Sequence, residues 1–318
     1  MTMPERVAII GTGLIGRGWA AAFCRAGWSV ALWDRDAAAR DAAHSAVGRS
    51  VDDLADAGLL DDPDGAKAKV SVADTPEAAI EGAGYVQESV PEQAEIKTQV
   101  IERIDAIAPP DVLIGSSTST LPGSAFLATI ANRDRCIVAH PANPPHLMPV
   151  VEIVPSPWHA PETVERVCAV MRAIGQVPVT VNREIEGFVM NRLQTAVVNE
   201  AVALVAQGVV APDGLDAIMK HSLGLRWALM GPFETMDLNA PDGFFDYASR
   251  YGHLYQALGR DLSVADPWPE EALMAIEQSR RDAAPSGAAT ERMRDRDRAL
   301  MRLLALKKSI NDGQEERI

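Results

Sequence analysis

The sequence predicts an α/β protein, a doubly wound and mostly parallel sheet followed by an all-α domain. Three observations carry that reading. Short β-branched runs alternate with helical periodicity through the first half of the chain. A glycine-rich turn, GTGLIG, lies between the first run and the first helical stretch. Past about residue 187 the strand-like runs stop and helical patterns continue alone. The 318 residues suffice for two domains, expected over 1–187 and 188–318.

In chain order, Val7–Ile10 opens the sheet and Leu14–Ala26 follows as a helix. Ser29–Trp33 is the second strand, and an acid-rich excursion comes after it. Tyr85–Gln87 and Val112–Gly115 flank the helical stretch Gln93–Ala108. Ile137–Ala139 and Val150–Val154 flank a connection stiffened by prolines, HPANPPHLMP. The helical stretch Pro161–Gly175 leads to a last strand, Val177–Val181. Such strand–helix alternation signals a parallel sheet with helices on its faces. From about Gly187 to Gln207 a long helix carries Val189, Leu193, Val197, Val198, Val202 and Val205, an apolar arc too wide for one partner. Shorter helical pieces follow, then a charged amphipathic run around Glu291–Ser309.

The composition excludes several function classes. A hydrophobic fraction of 47% and a charged fraction of 23% are those of an ordinary globular protein. A net charge of −14 argues against a nucleic-acid partner, which needs a basic surface. Cys24, Cys136 and Cys168 are scattered and form no CxxC pair, so neither a disulfide framework nor a zinc site is expected. MTMPER leads straight into VAIIGTG, too short an apolar run for a signal peptide. No stretch reaches the roughly 18 uncharged apolar residues of a membrane span. A cytoplasmic protein without a membrane partner is expected.

GTGLIG fits GxGxxG, and it follows a strand and opens a helix, the context that gives the pattern meaning. This is a Rossmann-type dinucleotide turn. Gly11 permits the turn, Gly13 lets a pyrophosphate approach, and Gly16 lets helix and strand pack. Leu14 and Ile15 begin the helix whose unpaired N–H groups face the phosphates. Asp34 ends the second strand, where an acid accepts from ribose hydroxyls and repels a 2′-phosphate. NAD is therefore the expected cofactor, although Arg35 works against the discrimination.

His140 closes one apolar run and Glu152 sits inside the next. A carboxylate among Val and Ile is expensive unless something pairs with it. In open α/β sheets ligands bind beyond the carboxyl ends of the strands, where both His140 and the SSTST segment, Ser116–Thr120, fall. A carboxylate on one imidazole nitrogen fixes the tautomer and stabilises the imidazolium formed when the other takes a proton. Hydride transfer from an alcohol needs such a base, and donors to polarise the oxygen. The plain alternatives are a backbone-bonded histidine and an edge-strand carboxylate. A metal held by His140, His146 and Glu152 matches no helical ligand spacing, and no metal is expected.

The order GxGxxG, SSTSTL, HPANPP, VEIV, GFVMNR and MGPFE resembles the L-3-hydroxyacyl-CoA dehydrogenase superfamily over nearly the whole chain. The resemblance is strongest to its lambda-crystallin branch, the L-gulonate 3-dehydrogenases, through HPANPPHLMPVVEIVP, GFVMNRLQ and LGLRWALMGPFETMDLNAP. It implies His140 as general base, Glu152 as its partner, Ser119 bonding the reacting oxygen and Asn191 positioning substrate. It further implies that Glu92 and Lys97 contact the cofactor and that Asn143 lines the same pocket. It also implies a homodimer built through the C-terminal helical domain. Ser119 equally suits a helix N-cap, Asn191 a polar site on a helix, Glu92 a helix start and Lys97 a solvated face.

Three enzyme substrates share this machinery. A CoA phosphate needs basic residues in the excursion after Asp34, yet Asp41–Gly65 holds seven acids and one base, Arg49. L-Carnitine needs an aromatic cage, to which Trp227 could contribute. The branch resemblance favours a sugar acid, L-gulonate oxidised to 3-dehydro-L-gulonate. A non-catalytic, crystallin-like NAD-binding protein is the alternative of another class, and the intact set Ser119, His140, Glu152 and Asn191 argues against it. Arg226 stands among Leu225, Trp227, Ala228 and Leu229 and needs an anion. That anion is either Glu234 or Asp237, or the substrate carboxylate held bidentately.

Overall fold

The computed structural model describes residues 5–260, 262, 268–283 and 289–315. Among them eight strands form one sheet: β1 (Arg6–Ile10), β2 (Ser29–Trp33), β3 (Val70–Val72), β4 (Tyr85–Glu88), β5 (Leu113–Ser116), β6 (Cys136–Pro141), β7 (Val150–Val154) and β8 (Val177–Thr180). Their spatial order is β3-β2-β1-β4-β5-β6-β7-β8. All neighbours run parallel except β6 and β7, whose antiparallel register sets His140 directly opposite Glu152. β3 was not anticipated. It is three residues, VSV, at the sheet edge, too short to show a period and following an acid-rich helical stretch.

The first unit runs to Arg192 and is rejoined by the chain from Arg296 onward. Its helices are α1 (Leu14–Arg25), α2 (Ala37–Asp56), α3 (Pro63–Ala68), α4 (Pro76–Ile80), α5 (Ala94–Ile107) and α6 (Pro161–Ala173), together with the start of α7 (Met190–Ala206). Alternate residues of β1 feed opposite faces of the sheet. Val7 and Ile9 pack with Trp19, Phe23, Val47 and Met171 in one buried cluster. Ala8 and Ile10 pack with Ile80, Ile101 and Ile104 in the other. A sheet buried on both faces needs apolar residues at consecutive positions, which is why these strands read as continuous Val/Ile/Leu runs.

The second unit, Leu193–Asp295, contains most of α7, then α8 (Pro212–Ile218), a π-helical turn (Met219–Leu223), α9 (Gly224–Trp227), α10 (Pro232–Asp237), α11 (Gly243–Leu258) and α12 (Glu270–Ala283). Arg280 pairs with Asp216, and the Trp268 indole donates to Asn199. Only Val202, Thr235 and Ala272 are buried among its described residues. The last helix, α13 (Ala289–Glu315), returns to the first unit, where Met301 packs on Leu54 and Leu147. No helix among the described residues is long and apolar enough to cross a membrane.

Candidate active site

His140 and Glu152 are brought together by strand register. Their side chains meet with Nδ1 2.8 Å from Oε2, and both are almost wholly buried. An ionised carboxylate only accepts, so Nδ1 carries the proton and the lone pair stands on Nε2. The second Glu152 oxygen, Oε1, accepts from the Val189 and Met190 backbone N–H groups at 2.9 and 3.0 Å, unpaired donors at the entry to α7. Burial by itself would raise the Glu152 carboxyl. The His140 bond and the Met190 and Val189 donors outweigh it and hold the group below its ordinary value. Phe188, fully buried with φ +50°, packs against the imidazole at a ring separation of 5.4 Å. A non-glycine residue in that region is uncommon, and here it turns the chain sharply between Gly187 and α7.

The loop after β5 is held by Glu92. Its Oε1 accepts from the Thr118 hydroxyl at 2.7 Å and from the Ser119 and Thr120 N–H groups at 2.8 and 2.9 Å. Burial pushes the Glu92 carboxyl up, but these donors and the Lys97 charge bring it below its usual value. Ser119 is thus fixed through its main chain, and its carbonyl accepts from Asn191 Nδ2 at 2.6 Å. Its hydroxyl has no partner among the described residues. Lys97 is 1% exposed, and its ammonium is shared among Glu88, Glu92 and the Val90 carbonyl.

Glu88 escaped the sequence reading. It is fully buried at the end of β4, bound to Lys97, the Ser116 hydroxyl and the Val90 N–H. Its only sequence signal is the break from apolar to polar residues in YVQES. Phe188 was also missed, because GFV reads as an ordinary helix entry.

The residues of the glycine turn fit a dinucleotide. Gly11 has φ +98°, and a Cβ there would lie 2.6 Å from the Ser89 carbonyl oxygen. A Cβ on Gly16 would meet the Gly11 carbonyl at 1.9 Å, whereas one on Gly13 would meet nothing within 4 Å. The open side of the turn is therefore at Gly13, the N-cap of α1, which no side chain caps. Leu14 is exposed beside it, and Ile15 packs on the core. Asp34 accepts from the Thr12 N–H at 2.7 Å and the Asp36 N–H at 3.0 Å, tying β2 to the turn. Its carboxylate has four lone-pair sites, so acceptor capacity remains for ribose hydroxyls.

Asn143 is exposed on the loop three residues past His140. Arg226 lies in α9 of the second unit without a carboxylate partner among the described residues. Glu234 and Asp237, the internal partners considered for it, instead accept from the Gly231 and Phe244 N–H groups. Among the described residues no cluster of three His, Cys, Asp or Glu side chains is arranged to hold a metal.

The family profile for the 3-hydroxyacyl-CoA dehydrogenase NAD-binding domain matches residues 6–185, and that for the C-terminal domain matches residues 187–284. The chain belongs to the 3-hydroxyacyl-CoA dehydrogenase family. It is accordingly an NAD-dependent oxidoreductase acting on a hydroxyl group. Within this family it is 42% identical to a lambda-crystallin homolog of Bos taurus, over 96% of this chain and 97% of that one. It is 33% identical to an L-carnitine dehydrogenase of Streptomyces coelicolor, over the full length of both. Among solved structures, it resembles the NAD-dependent 5-formyl-3-hydroxy-2-methylpyridine 4-carboxylic acid 5-dehydrogenase. There the TM-score is 0.83 and the identity 29%, over 96% of this chain and 99% of that chain. The Gly11, Gly13 and Gly16 turn lies within the NAD-binding match, as do His140 and Glu152.

Proposed function

We propose that this dehydrogenase oxidises the 3-hydroxyl of a small L-3-hydroxy acid, L-gulonate to 3-dehydro-L-gulonate, with His140 as general base. The carrying observation is the buried His140–Glu152 pair, which leaves the imidazole lone pair on Nε2. His140 takes the hydroxyl proton, and Glu152 stabilises the cation that forms. NAD, when bound, supplies the hydride acceptor. Ser119 offers its hydroxyl to the reacting oxygen. Asn191 fixes the Ser119 carbonyl and with it the loop on which that hydroxyl stands. Asn143 borders the substrate. Gly11, Gly13, Leu14, Ile15 and Gly16 receive the pyrophosphate, and Asp34 the adenosine ribose. Glu92 and Lys97 serve the cofactor side by holding the Ser119 loop.

A small acid is supported by two observations. The excursion Asp41–Gly65, with seven acids against Arg49, suits no CoA phosphate. Arg226, without a carboxylate partner among the described residues, suits a substrate carboxylate. The apolar side chains exposed on the second unit support a homodimer formed through the helical domain.

The test is NAD reduction with L-gulonate, L-carnitine and a 3-hydroxyacyl-CoA in parallel. L-Gulonate is expected to give the highest kcat/KM. Preference for either of the others reassigns the substrate, and inactivity on all three favours a structural role. His140→Gln is expected to lower kcat by roughly 10²–10⁴ while NAD binding survives, and Glu152→Gln to lower the same parameter less. Arg226→Met should raise KM for L-gulonate with Tm and NAD affinity unchanged. A fall in Tm at constant KM would refute that role.

A further inference from the structure

A chain of buried polar side chains runs beneath the glycine turn, and its hydrogen bonds can be given directions. The Trp19 indole, which only donates, lies 3.1 Å from Ser117 Oγ. Gln87 Nε2 lies 2.7 Å from the same oxygen and 3.5 Å from the Ala139 carbonyl. That carbonyl can only accept, which places the amide nitrogen on this side. The Gln87 oxygen accepts from the Tyr85 phenol at 2.9 Å. Burial pushes the Tyr85 phenol up, so it keeps its proton.

Both lone pairs of the Ser117 hydroxyl are therefore taken, and its own proton must go outward. The remaining neighbour is Ser89 Oγ at 2.9 Å. Ser89 accepts that proton and must direct its own elsewhere. No acceptor for it exists among the described residues. Ser89 follows β4 immediately, at the carboxyl ends of β1 and β4, where the strand order reverses and open α/β sheets bind their ligands. Its carbonyl is the atom that a side chain on Gly11 would strike. β4 lies on the β6 side of β1, away from Asp34 on β2. This is the direction of the reacting half of a dinucleotide.

We propose that the Ser89 hydroxyl is a dedicated donor to an oxygen of bound NAD on the nicotinamide side of the glycine turn, its proton aimed outward by Ser117, Trp19 and Gln87. The acceptor is either the nicotinamide ribose or the pyrophosphate. The inference rests on NAD binding itself and not on the identity of the hydroxy acid. Trp19 and Gln87 act through Ser117 as positioning residues. Loss of one lone-pair occupant, as in Trp19→Phe, lets Ser117 accept from Ser89, whose proton then turns inward.

The experiment is calorimetric binding of NAD, ADP-ribose and ADP to the full chain and its variants, with Tm measured alongside. Ser89→Ala is expected to raise Kd for NAD and ADP-ribose by roughly three- to tenfold, the worth of one hydrogen bond. An equal rise for ADP assigns the pyrophosphate, and an unchanged ADP affinity assigns the ribose. Trp19→Phe is expected to weaken NAD as well, and to add nothing in the Ser89→Ala background. Ser89→Gly supplies the same reading should the alanine variant not fold. Unchanged affinity for all three ligands in the Ser89 variants overturns the proposal. So does an additive effect of Trp19→Phe.

Discussion

At the scale of single residues, the site is organised by carboxylates whose burial is compensated by named donors. Glu152 accepts from two backbone N–H groups and the His140 ring, and Glu92 from two backbone N–H groups and the Thr118 and Thr120 hydroxyls; these donors hold each carboxyl below its ordinary value. Glu88 has no solvent exposure and depends on Lys97. Breaking a buried pair from one side leaves an uncompensated charge and costs about 3–5 kcal/mol. Lys97→Met should therefore lower Tm sharply, and a Glu88→Gln change added to it should restore part of the loss. Equal stability of Lys97→Met and the native chain, by denaturant titration, would refute the coupling. Asp34 makes a separate prediction. Its charge at the end of β2 should favour NAD over NADP by at least about tenfold in kcat/KM, and Asp34→Ala should narrow that gap. Equal use of both cofactors by the native chain would implicate Arg35 as a phosphate binder.

At the scale of elements, the proline-rich connection between β6 and β7 does two jobs. It joins the two strands whose register opposes His140 to Glu152, and it packs on α1 and α13. Pro145 lies so close to α1 that a Cβ on Gly18 would come within 2.5 Å of its ring. Arg25 donates to the His146 carbonyl, Gln176 to that of Pro145, and Leu147 meets Met301 of α13. His146 itself is 8% exposed, and its Nδ1 has no hydrogen-bond partner among the described residues. Burial lowers its pKa to about 4, with Asp297 opposing and Arg25 and Arg296 reinforcing that shift. The unfolded histidine takes up its proton near 6.5, so between those values the unfolded chain binds more protons. This contribution to stability is whole above pH 6.5 and is lost as pH falls toward 4, by at most about 1.4 kcal/mol per unit. His146→Leu should flatten the loss over that window. An unaltered pH profile of ΔG in the variant would show that His146 is not the group responsible.

At the scale of the whole molecule, legibility followed how locally each feature is encoded. The glycine turn, the parallel sheet and the His140 and Glu152 strands were readable because strand period and turn chemistry are written in consecutive residues. The edge strand β3, the buried Glu88 and the turn at Phe188 were not, since each depends on contacts made across the sheet. The return of the chain from Arg296 onward to the first unit is likewise a tertiary choice, carried by Met301 against Leu54 and Leu147.

The second unit poses the largest remaining energetic question. Its described residues bury only Val202, Thr235 and Ala272, while Leu193, Leu225, Phe233, Leu238 and Phe245 stand more than 60% exposed. Apolar exposure on that scale suits an interaction site, and a second copy of this chain would offer the same residues in return. Phe245, 83% exposed, makes so little use of its own chain that replacing it should not disturb the monomer fold. Phe245→Glu should therefore leave the far-ultraviolet circular dichroism unchanged. Under the homodimer proposed above, it should also shift the sedimenting species from dimer to monomer and lower Tm through loss of the partner. The native chain sedimenting as a monomer at micromolar concentration would overturn the homodimer. So would a Phe245→Glu variant identical to it in both mass and Tm.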